Sequence, residues 1–318
     1  MTVRVAAIDC GTNSIRLLIA DIDPSTRVLT DLVRTMEIVR LGQGVDRTGM
    51  LDPQALQRTF AACDSYAAAI AEHQVVHMRF VATSATRDAS NRADFVAGVR
   101  SRLGVEPEVV TGEQEAALSF AGALNGLDSA ARGPFLVVDI GGGSTEFVVG
   151  IDFPVAACSV DIGCVRITER LLHDDPPTPD QINEATTMID AAIARAAEQV
   201  PLQQAATLVG LAGSVTTVAA LALGLTAYDP HAIHGSKIGA EVVHRISGEL
   251  LAANRAERAA YPVMHPGRVD VIGAGALILD RIMIATGASE VLVSEHDILD
   301  GIALMLALES TSELDARQ

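Results

Sequence analysis

The sequence predicts a two-domain α/β protein, and three observations carry that prediction. Strand-like and helix-like runs alternate through both halves of the chain, which implies mixed sheets covered by helices. At 318 residues the chain has room for two domains of ordinary size, and 49% hydrophobic against 20% charged residues describe a packed globular protein. One device also occurs twice. "AAIDCGTNSIRLLIA" at residues 6–20 and "VVDIGGGSTEFVVG" at residues 137–150 both run apolar, stop at an aspartate, turn on glycine and run apolar again.

In the first half, "VRVAAID", "RLLIADID", "VLTDLVRTMEIVRL", "MRFVATSA" and "PEVVTG" read as strands. Asp52 ahead of Pro53 starts a helix through "LDPQALQRTFAACDSYAAAIAEHQ", since proline suits the first helical position. Thr111 and Gln114 have capping-box spacing for a helix over "TGEQEAALSFAGAL". Its first turn holds Glu113 and Glu115, where the helix dipole favours negative charge, and for Glu113 that is explanation enough.

"NGLDSAARGP", residues 125–134, reads as a linker. Beyond it come the second hairpin, "ACSVDIGCVRITERLL", and the Pro-rich loop "DDPPTPD", which starts a helix from about Asp180 to Gln199. "ATLVGLAGSVTTVAALALGLTAY", residues 206–228, is uncharged and long enough to span a bilayer. "GLAGS" interrupts it, so it reads as a strand, a Gly-Ser turn and a buried helix. Helix-like "GAEVVHRISGELLAANRAERAA", the loop "HPGRVD", the apolar helix "VIGAGALILDRIMIATG", the strand "EVLVSE" and a closing helix "DILDGIALMLALE" complete the chain.

Composition narrows the partners. A net charge of -17 argues against nucleic acid, which needs a basic face, and 3% aromatics leave little for base stacking. No membrane span is predicted. Cys10, Cys63, Cys158 and Cys164 form no CxxC pair and no zinc spacing, so four reduced thiols are expected. The chain opens straight into a strand pattern without a leader, which predicts a cytoplasmic protein.

The repeated hairpin points to phosphate chemistry. Setting Asp9 on Asp139 places Gly11 on Gly141, Ser14 on Ser144 and Arg16 on Glu146. A Gly-rich turn between apolar strands exposes several backbone N–H groups and can wrap an anion closely. Asp139 and Glu146, flanking one turn, can bind a hard cation such as Mg²⁺ directly or through water. Arg16, in the equivalent place, favours phosphate. Other phosphate sites fit poorly: Lys237, the only lysine, sits in "HGSKIG" and makes no P-loop, and "DIGGGSTEFVVG" returns to a strand where a dinucleotide fingerprint opens a helix. His173 and His296 each precede an Asp, but no ordered set of further ligands accompanies either pair.

With both hairpins in view, the chain resembles the exopolyphosphatase and guanosine pentaphosphate phosphohydrolase family of the actin-like superfamily. The landmarks are "AIDCGTNSIRLLIA", "VRLGQGV", "VATSATRDASN", "TGEQEA", "VVDIGGGSTE", "GCVRITE", "GLAGSVTT" and "GRVDVIGAGALIL", in family order over nearly the whole chain. The resemblance implies two actin-like (ribonuclease H-like) domains with an active-site cleft between them: residues 1–124 joined by a closing helix at about 297–318, and residues 125–296. It implies an exopolyphosphatase releasing terminal orthophosphate from linear polyphosphate, with guanosine pentaphosphate as the alternative substrate. Glu115 falls on the family's catalytic base. Asp139 and Glu146 fall on the acids that hold Mg²⁺, or Mn²⁺ in its place. Asn13, Ser14, Arg16, Arg87, Gly143 and Ser144 fall on phosphate-contacting positions, and Gly213 and Ser214 on a third phosphate- or nucleotide-facing turn. Arg166 and Arg268 lie near landmarks, but surface salt bridges explain them nearly as well. A homodimer is implied.

Two departures qualify the resemblance. Family members often carry an extra C-terminal helical region that helps bind long polymers, and without one this chain points to short polyphosphates. In "SEHDILDGIAL", Asp300 stands where relatives offer a basic residue, which touches substrate choice. Two other functions are consistent with the superfamily: an ATP-using kinase or ATPase, and a non-catalytic (p)ppGpp-binding sensor. No adenine pocket is legible for the first, and a sensor has no need of a base at Glu115.

Overall fold

The computed structural model describes residues 2–127 and 131–315. Residues 128–130 of the expected linker and 316–318 of the expected closing helix lie outside the described residues. The chain packs as two units, residues 1–125 with 298–318 and residues 126–297.

The first unit is built on five strands, β1 (Val3–Cys10), β2 (Ser14–Asp23), β3 (Val28–Ile38), β4 (His77–Ala82) and β5 (Glu108–Val109), in the order β3-β2-β1-β4-β5. Successive strand residues face opposite sides, and here both sides are covered. Ala6, Ile8 and Cys10 pack with Leu56, Ala62 and Tyr66 of the helix Pro53–Glu72 and with Phe95 and Val99 of the helix Arg92–Leu103. Val5 and Ala7 pack on the other side with Leu118 of the helix Gly112–Asn125 and with Ile298, Leu299 and Ile302 of the closing helix Ile298–Asp315. Gly301 lets those two helices touch, because a Cβ there would collide with the Leu118 carbonyl.

The second unit repeats the plan. Its strands are β6 (Phe135–Ile140), β7 (Thr145–Gly150), β8 (Pro154–Val160), β9 (Thr207–Leu211), β10 (Lys237–Gly239) and β11 (Glu290–Val293), in the order β10-β11-β9-β6-β7-β8. Read from β8, the first five repeat the first unit's order, and β10 adds an antiparallel edge. Each unit therefore has the actin-like arrangement, a meander of three strands continued by parallel strands with helical crossovers.

Local signals act as their chemistry requires. Asp52 accepts from the N–H groups of Gln54 and Ala55, and Thr111 and Gln114 form the reciprocal capping box. All four cysteines are buried, and none forms a disulfide. Two expectations are corrected. Residues 239–260 form two helices, Ala240–Ala252 and Arg255–Ala259, because Asn254 caps a new start with Glu257 as its box partner. The Gly-Ser turn at 213–214 is instead the first turn of the helix Ala212–Ala222, which follows β9 directly. Among the described residues no helix is long and apolar enough to cross a membrane.

Candidate active site

The two glycine turns are built alike. In the first, Asp9 pairs with Arg16 and Cys10 with Ile15, and the Gly11 N–H closes on the Ser14 carbonyl at 3.0 Å. In the second, Asp139 pairs with Glu146 and Ile140 with Thr145, and the Gly141 N–H closes on the Ser144 carbonyl at 3.0 Å.

What packs behind each turn decides where its amides point. Cys164 N–H donates to the Gly141 carbonyl at 3.0 Å, and the N–H groups of Val165 and Arg166 donate to the Gly142 carbonyl at 2.9 and 3.1 Å. Arg166 Nε donates to the Gly143 carbonyl at 2.7 Å. In a trans peptide the carbonyl and the following N–H point in opposite directions. With three successive carbonyls turned to the helix Cys164–Leu171, the N–H groups of Gly142, Gly143 and Ser144 turn away from it together. Successive amides arranged this way form an anion-binding concavity. Gly163 permits the close approach, since a Cβ there would strike the Gly142 carbonyl and the Gly143 nitrogen.

The first turn is backed by the loop after β3 instead of a helix. Val39 and Arg40 donate to the Asn13 carbonyl at 3.1 and 2.8 Å, and Gly42 donates to the Thr12 carbonyl at 2.8 Å. The N–H groups of Asn13 and Ser14 accordingly point away from that loop. Arg40 adopts φ 50° to make its contact, an uncommon conformation for a non-glycine residue.

The strand-end charges differ between the turns. Arg16 donates from Nε and Nη2 to Asp9 Oδ2 at 3.0 and 2.7 Å, so this pair is internally balanced. At the second turn the pair is acid against acid. Asp139 and Glu146 are 7% and 1% exposed on one face of the sheet, and the Ser159 hydroxyl donates to Glu146 Oε1 at 2.7 Å. Two carboxylates on adjacent strands suit Mg²⁺, which takes one or two carboxylates and fills its shell with water and phosphate oxygens. Among the described residues there is no cluster of three or more His, Cys, Asp or Glu side chains that could hold a metal ion.

Glu115 lies in the first unit, in the opening turn of the helix Gly112–Asn125, and is 8% exposed where Glu113 is exposed. Arg87, on the short helix Ser84–Asp88, donates from Nη1 to Glu115 Oε2 at 3.1 Å and to the Val110 carbonyl at 2.9 Å. That helix is tied to the first turn twice. Thr83 N–H donates to the Cys10 carbonyl at 3.2 Å, and the Thr12 and Ser84 hydroxyls are 2.9 Å apart. Asn13, Ser14, Arg16, Arg87 and Glu115 thus belong to one connected frame in the first unit. Asp139, Gly143, Ser144 and Glu146 belong to one in the second.

Gly213 and Ser214 sit beside the second turn, because Leu211 at the end of β9 pairs with Asp139. The Ser214 side chain nonetheless faces inward, against Gly275 and the Cys164 thiol. Ala212, just before them, has φ 66°. Over Gly213 lies the Arg268 guanidinium, which fills the space a Cβ would occupy and donates from Nη1 to Thr217 Oγ1 at 3.2 Å. Arg166 and Arg268 lie near landmarks in the sequence, where surface salt bridges explained them nearly as well; in the structure Arg166 contacts Gly143 of the second turn and Arg268 lies over Gly213 beside it. A guanidinium donating to a backbone carbonyl, or taking the place of an absent Cβ, leaves no spacing pattern. Asp300 is fully buried and accepts from Arg34 Nη2 at 2.5 Å and Nη1 at 3.3 Å, so it serves an ion pair within the first unit.

The sequence profile of the Ppx/GppA phosphatase family matches residues 18–309. Exopolyphosphatase 2 of Mycobacterium tuberculosis (strain ATCC 25618 / H37Rv) is 49% identical over 315 residues, covering 96% of this chain and 98% of that protein. A guanosine-5'-triphosphate,3'-diphosphate pyrophosphatase of Vibrio cholerae is 35% identical over 182 residues, covering 57% of this chain and 36% of that protein. Among solved structures, an exopolyphosphatase-like protein superposes with a TM-score of 0.92 at 43% identity, covering 97% of this chain and 100% of that one. The Aquifex aeolicus Ppx/GppA protein superposes with a TM-score of 0.83 at 29% identity, covering 98% and 99%.

Proposed function

The chain belongs to the Ppx/GppA phosphatase family, and from that premise we propose that it is an exopolyphosphatase releasing orthophosphate from the end of short linear polyphosphate. The observation that carries this reading is the second turn. Three adjacent amides turned one way make a cradle for phosphate oxygens, and two buried carboxylates stand beside it.

Water attacks the terminal phosphorus in line with the bridging oxygen. The new P–O bond forms as the bridging bond breaks, leaving orthophosphate and a chain one unit shorter. Glu115 takes the proton from the attacking water, and its near-complete burial keeps the carboxylate from being spent on bulk solvent. The amides of Gly142, Gly143 and Ser144, with those of Asn13 and Ser14, hold phosphate oxygens by preorganised hydrogen bonds. Arg87 grips the terminal phosphate. Asp139 and Glu146 would hold Mg²⁺ or Mn²⁺, which when bound supplies positive charge against the phosphate oxygens. The cytoplasm as compartment and a homodimer as assembly belong to the same reading; four buried thiols that form no disulfide support the first.

Guanosine pentaphosphate is the second reading, favoured by the likeness to the Vibrio cholerae pyrophosphatase. Phosphate release from tripolyphosphate, a longer polyphosphate, guanosine pentaphosphate and ATP, each with Mg²⁺, ranks the substrates. Fastest turnover of short polyphosphate is the expected result. Faster turnover of guanosine pentaphosphate would exchange the two readings, and turnover of ATP alone would remove both.

A further inference from the structure

Val39 and Arg40 share a peptide that backs the first turn, and its carbonyl is held from behind. Arg58, on the helix Pro53–Glu72, donates from Nε to the Val39 carbonyl at 2.9 Å. Among the described residues this is the one hydrogen bond of the Arg58 side chain; it makes no ion pair, and Nη2 is buried without a partner. Arg4, Arg16, Arg34, Arg79 and Arg87 of the same unit each hold a carboxylate. Arg58 is half-buried and holds a backbone carbonyl instead.

The peptide planes lead from Arg58 to the turn. Neither the 13–14 nor the 39–40 bond is cis, so in each the carbonyl and the following N–H point in opposite directions. With its carbonyl on Arg58, the Val39–Arg40 peptide aims the Arg40 N–H the other way, where it donates to the Asn13 carbonyl at 2.8 Å. The Asn13–Ser14 peptide repeats the step, with its carbonyl on Arg40 and the Ser14 N–H turned away from the loop. Two peptides therefore connect the Arg58 charge to the Ser14 amide, each donating to the next. A charged donor makes a stronger hydrogen bond, and bonds in a chain polarise one another. The same helix also fixes the far side of Ser14, because the Tyr66 hydroxyl donates to the Ile15 carbonyl at 2.9 Å.

The second turn has a shorter version of this arrangement. Arg166 Nε donates directly to the Gly143 carbonyl, whose peptide carries the Ser144 N–H. Setting Asp9 on Asp139 places Asn13 on Gly143 and Ser14 on Ser144. Each turn thus has an arginine Nε behind the equivalent serine amide, one peptide away in the second turn and two in the first.

We propose that Arg58 is a positioning residue for phosphate: through the Val39–Arg40 peptide it fixes and polarises the Ser14 amide. This rests on the reading of the first turn as a phosphate cradle.

The test compares wild type with Arg58→Gln and Arg58→Met, which match each other in length. Glutamine puts an amide N–H at the position of Nε without the charge, and methionine puts a methyl there. NMR reads the amide proton shifts of Arg40 and Ser14 in the substrate-free proteins, and kcat and KM are measured on tripolyphosphate with Mg²⁺. In Arg58→Met both amide protons are expected to move upfield while that of Ser144 stays. KM is expected to rise about fivefold, the scale of one weakened hydrogen bond, with kcat within about twofold of wild type. Arg58→Gln is expected to recover most of both effects, a rescue that side-chain packing alone would not produce. Unmoved Arg40 and Ser14 protons in Arg58→Met, or equal losses in the two variants, would overturn the relay and leave the hydrolase reading standing. A wild type that releases no phosphate would overturn the hydrolase reading, and the shifts in the substrate-free proteins would still decide the relay. If Arg58→Met does not fold, Arg58→Leu, which also lacks a donor, takes its place.

Discussion

Arg166 donates from Nε to the Gly143 carbonyl at 2.7 Å, and this one contact sets the direction of the Ser144 amide. The side chain is only 10% exposed, and its Nη2 lies 3.7 Å from Asp161. Arg166→Met keeps most of the side-chain length and removes the donor. Affinity for tripolyphosphate is expected to fall by about tenfold, the scale of one lost hydrogen bond to a charged group, in a variant that still folds. Titration calorimetry on the two proteins checks it, and unchanged affinity would show that the Gly143–Ser144 peptide holds its orientation unaided.

Gly163 is where the helix Cys164–Leu171 meets the second turn. In Gly163→Ala the new methyl would strike the Gly142 carbonyl and the Gly143 nitrogen, which are backbone atoms and cannot swing aside. Overpacking of this kind costs about 1–3 kcal/mol. The variant is expected to melt lower and to bind tripolyphosphate more weakly than Arg166→Met, because all three carbonyl contacts are disturbed. A folded variant with wild-type affinity would contradict the cradle.

Asp300 and Arg34 form the ion pair that ties the closing helix to β3. Asp300 is fully buried, so Arg34→Leu takes a cation away from an interior carboxylate. Removing one member of a buried pair costs roughly 3–5 kcal/mol; partial exposure of Arg34 puts this case at the lower end. Urea unfolding measures the loss. The order of preference among polyphosphate, guanosine pentaphosphate and ATP should be unaltered, and a changed order would return Asp300 to substrate selection.

The acid pair at the second turn predicts a dependence on divalent cation. Phosphate release should stop in EDTA and return with added Mg²⁺ or Mn²⁺. Glu146→Gln, which keeps an oxygen for the Ser159 hydroxyl, should need a higher Mg²⁺ concentration for half-maximal rate. Full activity in EDTA would remove the metal role from Asp139 and Glu146.

Much of the fold was legible because its signals are local. The register that sets Asp9 against Arg16 and Asp139 against Glu146 follows from apolar strands joined by short glycine turns, since strand residues alternate with a fixed period. The caps at Asp52 and Thr111 were equally local. The break at Asn254 was missed because apolar spacing continues across it, while its cap needs only a polar side chain at the right turn. The Arg34–Asp300 pair joins residues 266 positions apart, beyond any spacing rule. The contacts that aim the turns were hidden for the same reason: Val39, Arg40 and Gly42 on one side, and Cys164 to Arg166 on the other, act through backbone groups that every residue carries. Ser214 shows the converse, a hydroxyl at a landmark position whose side chain faces Gly275.

Glu115→Gln tests the central claim most directly. The amide is close to isosteric with the carboxylate and cannot accept the water's proton. Single-turnover phosphate release from tripolyphosphate with Mg²⁺ should slow by roughly 10²–10⁴-fold, while the variant still binds tripolyphosphate and melts near wild type. Release at the wild-type rate would contradict the account, for it would leave a buried glutamate held by Arg87 with no part in the reaction.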